Sequence, residues 1–128
     1  MATEPENIAK VKQVLNEMIQ AGDPEKPLFY LDLERLTGVN RHTEALTVLG
    51  DISRENYAVH GLLISSLVVA KETGFPGAGY FKLAQELGLF PEGESIGEYI
   101  DRTFFPSEKA GIFWKSQRDA IFSVKPAI

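Results

Sequence analysis

The sequence has no cysteine, one tryptophan, two histidines and a shortage of positive charge. Without cysteine, thiol catalysis, Cys-ligated zinc and disulfide staples are all excluded. The two histidines, His42 and His60, are too far apart to form a recognisable metal motif. The longest apolar run, Leu62 to Ala70, is interrupted by Ser65 and Ser66 and falls far short of the roughly 20 residues that span a bilayer. Thirteen Lys and Arg stand against eighteen Asp and Glu, a net charge of -5, so no overall basic field draws a polyanion. The Gly-x-Ser-x-Gly elbow of serine hydrolases is missing, as are the Walker spacing and the dinucleotide fingerprint. Internal repeats and low-complexity tracts are absent too.

What is present is ordinary globular composition, 44% hydrophobic and 24% charged. A length of 128 residues predicts one domain, 1–128, able to bury a sizeable core unaided. Disordered tails, coiled coils and collagen-like repeats are excluded. Met1 to Pro5 is polar, carries Glu4 and is followed by no apolar h-region, so a cytoplasmic location is expected.

Thr3-Glu4-Pro5-Glu6 has the pattern of a capped helix start. Ile8, Val11, Val14, Leu15, Met18 and Ile19 follow at helical spacing, and Gly22 ends the helix. Leu28 to Tyr30 reads as a short extended piece. A short helix over Asp32 to Leu36 closes at Thr37-Gly38, and Asn40 caps a longer helix running from Arg41 toward Val59. Leu62 to Ala70, rich in Ile, Val and Leu, is the best strand, with Ser65 and Ser66 on opposite faces. A glycine-rich loop, 71–79, leads to a helix over Tyr80 to Leu87. Ser95 and Glu98 have capping-box spacing and predict a further helix. Ser107 starts the last helix, with Ile112, Phe113, Ile121 and Phe122 on or near its buried side, and Lys125-Pro126 ends it.

Two helices joined by a tight glycine turn, followed by a strand and a flexible loop, make a helix-turn-helix-like core with a wing. The expected fold is therefore α+β, mostly α, winged-helix-like, with a small sheet. On this reading Asn40, Arg41, His42 and Thr43 occupy the exposed first turn of the reading helix, and Lys71 the base of the wing. Residues 41–82 carry four basic and four acidic groups, so the module is neutral and the acidity lies on its flanks. Weak binding follows, because phosphate neutralisation supplies most nonspecific affinity.

Tyr30-Leu31-Asp32-Leu33, Leu36-Thr37-Gly38, the Leu46 to Ile52 helix and Leu67-Val68-Val69 loosely resemble the winged-helix part of alkyltransferase-like DNA repair proteins. That family places Pro-Cys-His-Arg, or a Cys-replaced version, before its Val-Val. Here Ile64, Ser65, Ser66 and Leu67 stand there, so the resemblance implies no alkyl transfer. The segment Leu62 to Phe81, with Leu83-Ala84-x-Glu86-Leu87-Gly88 and the Trp114 helix, is similar to small uncharacterised bacterial proteins of mobile-element or integron gene-cassette type. That likeness implies a shared fold and no particular activity.

Three functions remain in view. The first is a non-enzymatic nucleic-acid-associated or regulatory module contacting DNA through Asn40, Arg41, His42, Thr43 and Lys71. The second is a self-associating or protein-binding module in which Phe113 and Trp114 leave one aromatic exposed. The third is a small hydrolase built on Lys71, Glu72 and His60. One lysine and one carboxylate make a sparse signature for it, and a salt bridge explains them better. His60, at a helix end, is favourable to the helix dipole. No catalytic residue, metal, cofactor or membrane partner is expected.

Overall fold

The computed structural model describes residues 5–128; Thr3 and Glu4 of the expected N-terminal cap lie outside them. Five helices and four short strands follow in the order α1 (Pro5–Ala21), β1 (Leu28–Phe29), α2 (Tyr30–Thr37), α3 (Ala45–His60), a 3-10 turn (Ile64–Leu67), β2 (Val68–Val69), α4 (Ala78–Glu86), β3 (Gly97–Ile100), β4 (Thr103–Pro106) and α5 (Glu108–Val124). The fold is thus α+β and mostly α, as the sequence predicts. No described helix is long and apolar enough to cross a membrane.

Two apolar clusters meet along the central segment. Val11, Leu15 and Ile19 of α1 pack with Val48 and Ile52 of α3 and Ile121 of α5 in the first. Tyr80, Phe81 and Ala84 of α4 pack with Phe90 and Trp114 in the second. Leu62 through Val69 is buried throughout and divides between them, with Ile64, Leu67 and Val68 in the first and Leu63 and Val69 in the second. Burial on both sides explains why this run is nearly continuous in apolar residues.

The run is nevertheless not the long strand its composition suggests. Only Val68–Val69 is extended, paired in parallel with Leu28–Phe29. The serines make the difference. Ser53 Oγ accepts from the Ser65 amide at 2.9 Å and donates to Ser65 Oγ at 2.8 Å. Ser66 Oγ and the Tyr80 hydroxyl bond at 2.6 Å, and Trp114 Nε1 donates to the Ser66 carbonyl at 2.8 Å. Side chains thus satisfy polar groups that a sheet ladder would otherwise have to hold. Ser65 and Ser66 sit side by side in a 3-10 turn, not on opposite faces of a sheet.

Two further expectations change. α3 begins at Ala45 and not Arg41, and the connection from α2, residues 38–44, is longer than a tight helix-turn-helix turn. The expected helix after Ser95 is an antiparallel hairpin with Glu98 opposite Phe105 and Tyr99 opposite Phe104. Asp101 and Arg102 both have positive φ, 48° and 67°, as a two-residue hairpin turn requires. Ser95 Oγ serves the Gly97 amide, and Ser107, not Ser95, is the true helix cap, accepting from the Ala110 amide at 3.1 Å. Ile112 of α5 and Leu46 of α3 face outward, at 64% and 57% exposure, though both fit the apolar periodicity.

The C-terminal end is tied down. Asn16 donates to the Ile128 carbonyl at 2.9 Å and accepts from its amide at 3.1 Å, which pins the C-terminus on α1.

Candidate functional site

Because β1 and β2 run parallel, their C-terminal ends open on one side. The chain leaving β1 enters α2 at Tyr30, and the chain leaving β2 becomes the loop that carries Lys71. A groove of about 280 Å³ lies there, lined by Tyr30 and Leu31, Lys71 and Glu72, and Arg41 and His42. Ligand sites in parallel sheets favour this end of the strands.

The Arg41–His42 wall is set by Asn40. Its Oδ1 accepts from the His42 and Thr43 amides at 2.8 and 3.0 Å, an Asx turn, while its carbonyl accepts from Glu44 and Ala45. Asn40 therefore caps, as expected, but it caps a turn ahead of the helix. Asn40 and Thr43 are exposed and do not line the groove. Arg41 Nη1 donates to Glu34 Oε2 at 2.6 Å, and the Arg41 amide reaches the same oxygen. That hydrogen bond holds the Glu34 carboxyl below its ordinary range; partial desolvation opposes it, and the nearby His42 adds to the lowering.

The opposite wall is a fastened loop. Gly74 donates to the Ala70 carbonyl at 2.8 Å, Ala70 donates to the Phe75 carbonyl at 2.9 Å, and the Gly77 amide donates to the Tyr30 hydroxyl at 3.1 Å. Phe75 packs edge-on against Trp114, 5.1 Å between centroids. The amides of Gly74 and Gly77 are thus engaged inside the protein and are not free to meet a phosphate. Burial raises the Tyr30 phenol's pKa, with the Gly77 amide opposing in part. Lys71 and Glu72 are exposed, and among the described residues neither forms an ion pair.

Three of the five expected contacts, Arg41, His42 and Lys71, therefore share one groove. His60 does not line it; it is the exposed last residue of α3. Among the described residues no group of His, Asp and Glu is placed to hold a metal ion.

Phe113 and Trp114 do not form an exposed surface. Trp114 is only 8% exposed, bonded to Ser66 and covered by the Arg118 guanidinium 4.9 Å from its ring centroid. Phe113 is half-buried, 5.7 Å from Phe90 and 6.2 Å from Tyr80. Large apolar side chains are exposed on the hairpin instead, at Tyr99, Ile100 and Phe105.

Sequence reasoning missed Tyr30 as a groove residue and Glu34 as the acid that engages Arg41 behind it. The signal for Glu34 was its charge opposite to that of Arg41, seven residues on. Tyr30 carried no signal beyond its place at the end of an apolar piece. No family model matches the chain, and no curated protein or solved structure shows significant similarity to it.

Proposed function

We propose that the chain is a non-enzymatic binding module that takes nucleic-acid backbone into the groove between the 40–44 turn and the loop after β2. The supporting observation is that Lys71, a cation without an acidic partner among the described residues, lines one groove with His42 and Arg41. Lys71 provides a point charge for one phosphate, and His42 provides a ring donor beside it. Arg41 is largely occupied by Glu34. The site therefore neutralises one phosphate or two, and its affinity is weak and shallow in salt, about 0.9 in log–log slope per phosphate on duplex DNA.

Anisotropy of a labelled duplex across a salt series tests this reading. Binding is expected at low salt, and Lys71→Ala is expected to weaken it and to lower the slope by about one phosphate's worth. Absence of binding at the lowest salt overturns it.

A second reading, self-association, is favoured by a separate observation. Among the described residues β3 and β4 pair only with each other, and Tyr99, Ile100 and Phe105 are 64%, 51% and 40% exposed on them. Unpaired strand edges beside apolar side chains are templates for another chain. Sedimentation equilibrium decides it: a dimer that Ile100→Ser dissociates supports the reading, and a monomer at high concentration removes it.

A further inference from the structure

A second cavity, of about 200 Å³, lies between the end of α1, the connector to β1, β2 and α5. Its walls are mostly apolar, formed by Met18, Pro27, Leu67, Val69 and Trp114. Two charged side chains complete it: Arg118 from α5 and Glu25 from the connector.

The two charges do not pair with each other. Arg118 stacks over Trp114 and places Nε and Nη2 on the Asp119 carboxylate at 3.3 and 3.2 Å. A guanidinium has five N–H donors in a planar fork, so others remain for a second acceptor. Glu25 forms no ion pair among the described residues; its hydrogen bond runs from its backbone amide to Asp23. The indole N–H is committed to the Ser66 carbonyl, so Trp114 offers the cavity no donor. The cavity thus holds one cation and one anion, unpaired with each other, on an apolar lining.

From this arrangement we infer that the cavity is a binding site for a free α-amino acid with an apolar side chain. The ligand carboxylate meets the Arg118 guanidinium, its ammonium meets the Glu25 carboxylate, and its side chain lies against Met18, Leu67 and Trp114. Apolar walls with a few convergent polar groups are the general form of a small-ligand site. A zwitterion engages both groups at once; an apolar acid reaches the remaining Arg118 donors alone, and an apolar amine reaches Glu25 alone.

Trp114 is the only tryptophan of the chain and lines this cavity, so its fluorescence follows ligand entry. The experiment is a titration of the whole chain with L-valine, L-leucine and L-methionine, with 4-methylpentanoate and 3-methylbutylamine as single-charge analogues. At least one amino acid is expected to produce a saturable emission change, with the matching analogues bound about tenfold or more weakly, since a charge-assisted hydrogen bond is lost. Glu25→Gln, on an exposed connector where folding is not at stake, is expected to weaken the amino acid about tenfold and leave 4-methylpentanoate unchanged. Arg118→Gln, checked by its melting curve, is expected to weaken both. Three results overturn the inference: no saturable change with any of the three amino acids, equal binding of amino acid and analogues, or an unaltered amino-acid affinity in Glu25→Gln.

Discussion

Arg41 and Glu34 are joined at 2.6 Å by a side-chain ion pair, and the Arg41 amide reaches the same carboxylate oxygen at 3.4 Å. One acid on α2 thus fastens the turn that precedes α3 and removes one of the groove's two permanent cations from external use. The pair is partly exposed, at 36% and 27% of the side chains, so its contribution to folding is small.

Glu34→Gln is therefore expected to strengthen nucleic-acid binding. The substitution removes a negative charge and frees the Arg41 guanidinium beside Lys71. In the duplex titration the salt slope steepens by about 0.9, one additional phosphate neutralised. An unchanged slope means that Arg41 does not reach the ligand even when released.

The same pair sets a pH dependence. Arg41 holds the folded-state Glu34 carboxyl below its ordinary value, so the stabilisation is complete above the unfolded-chain value of about 4.3 and is lost as pH falls through the lower folded value. Carbon-detected titration of the Glu34 carboxyl checks this directly. In Arg41→Ala the midpoint is expected to return toward the ordinary glutamate range, and a midpoint that stays low assigns the effect to another group.

Much of the fold was legible because it follows local rules. The period of Val11, Leu15 and Ile19 gave α1, Ser107 gave the start of α5, and Gly38 and Gly61 gave the ends of α2 and α3, each in the left-handed conformation. The failures have one physical origin: a tertiary hydrogen bond or packing contact overrode a local preference. Ser53, Tyr80 and Trp114 are distant from Ser65 and Ser66 in sequence, and their hydrogen bonds hold the apparent strand in a 3-10 turn. Ser95 and Glu98 have capping-box spacing, yet the positive φ angles at Asp101 and Arg102 and the packing of Phe104 on Phe81 select a hairpin. In the groove, residue types were readable at Arg41, His42 and Lys71, but the engagement of Arg41 by Glu34 was not, because charge type does not disclose which charges are already paired.

The buried hydroxyl pair of Ser66 and Tyr80, 2.6 Å apart, holds the 3-10 turn to α4. Burial pushes the Tyr80 phenol well above its ordinary value, with Ser66 opposing in part, so the group stays neutral and acts through hydrogen bonding. Tyr80→Phe leaves the Ser66 hydroxyl without this partner, and Ser66→Ala does the same to Tyr80; each is expected to cost about 1–3 kcal/mol. The double variant is expected to cost less than the sum, because the second change removes a group already unsatisfied. Urea unfolding of the four proteins measures the cycle, and strict additivity would separate the two residues energetically.

Gly97 opens β3 at a φ of 143°, a conformation that side-chain-bearing residues rarely adopt. A Cβ placed there lies 2.1 Å from the Phe105 carbonyl oxygen and 2.7 Å from the Pro106 Cα, both backbone atoms of the paired strand. No rotamer change relieves such a contact, so Gly97→Ala must part the hairpin at its open end. Tyr99 and Phe104 are held 5.4 Å apart across the strands, and Phe104 lies 5.9 Å from Phe81 in the second apolar cluster. The expected outcome is a loss of about 1–3 kcal/mol, the scale of backbone strain, together with loss of hydrogen-exchange protection across 97–106. No residue of this strand pair lines the groove, so nucleic-acid binding at Lys71 is expected to persist while self-association through the hairpin disappears. One variant thereby separates the two functional readings, with exchange protection reporting the hairpin and anisotropy reporting the groove.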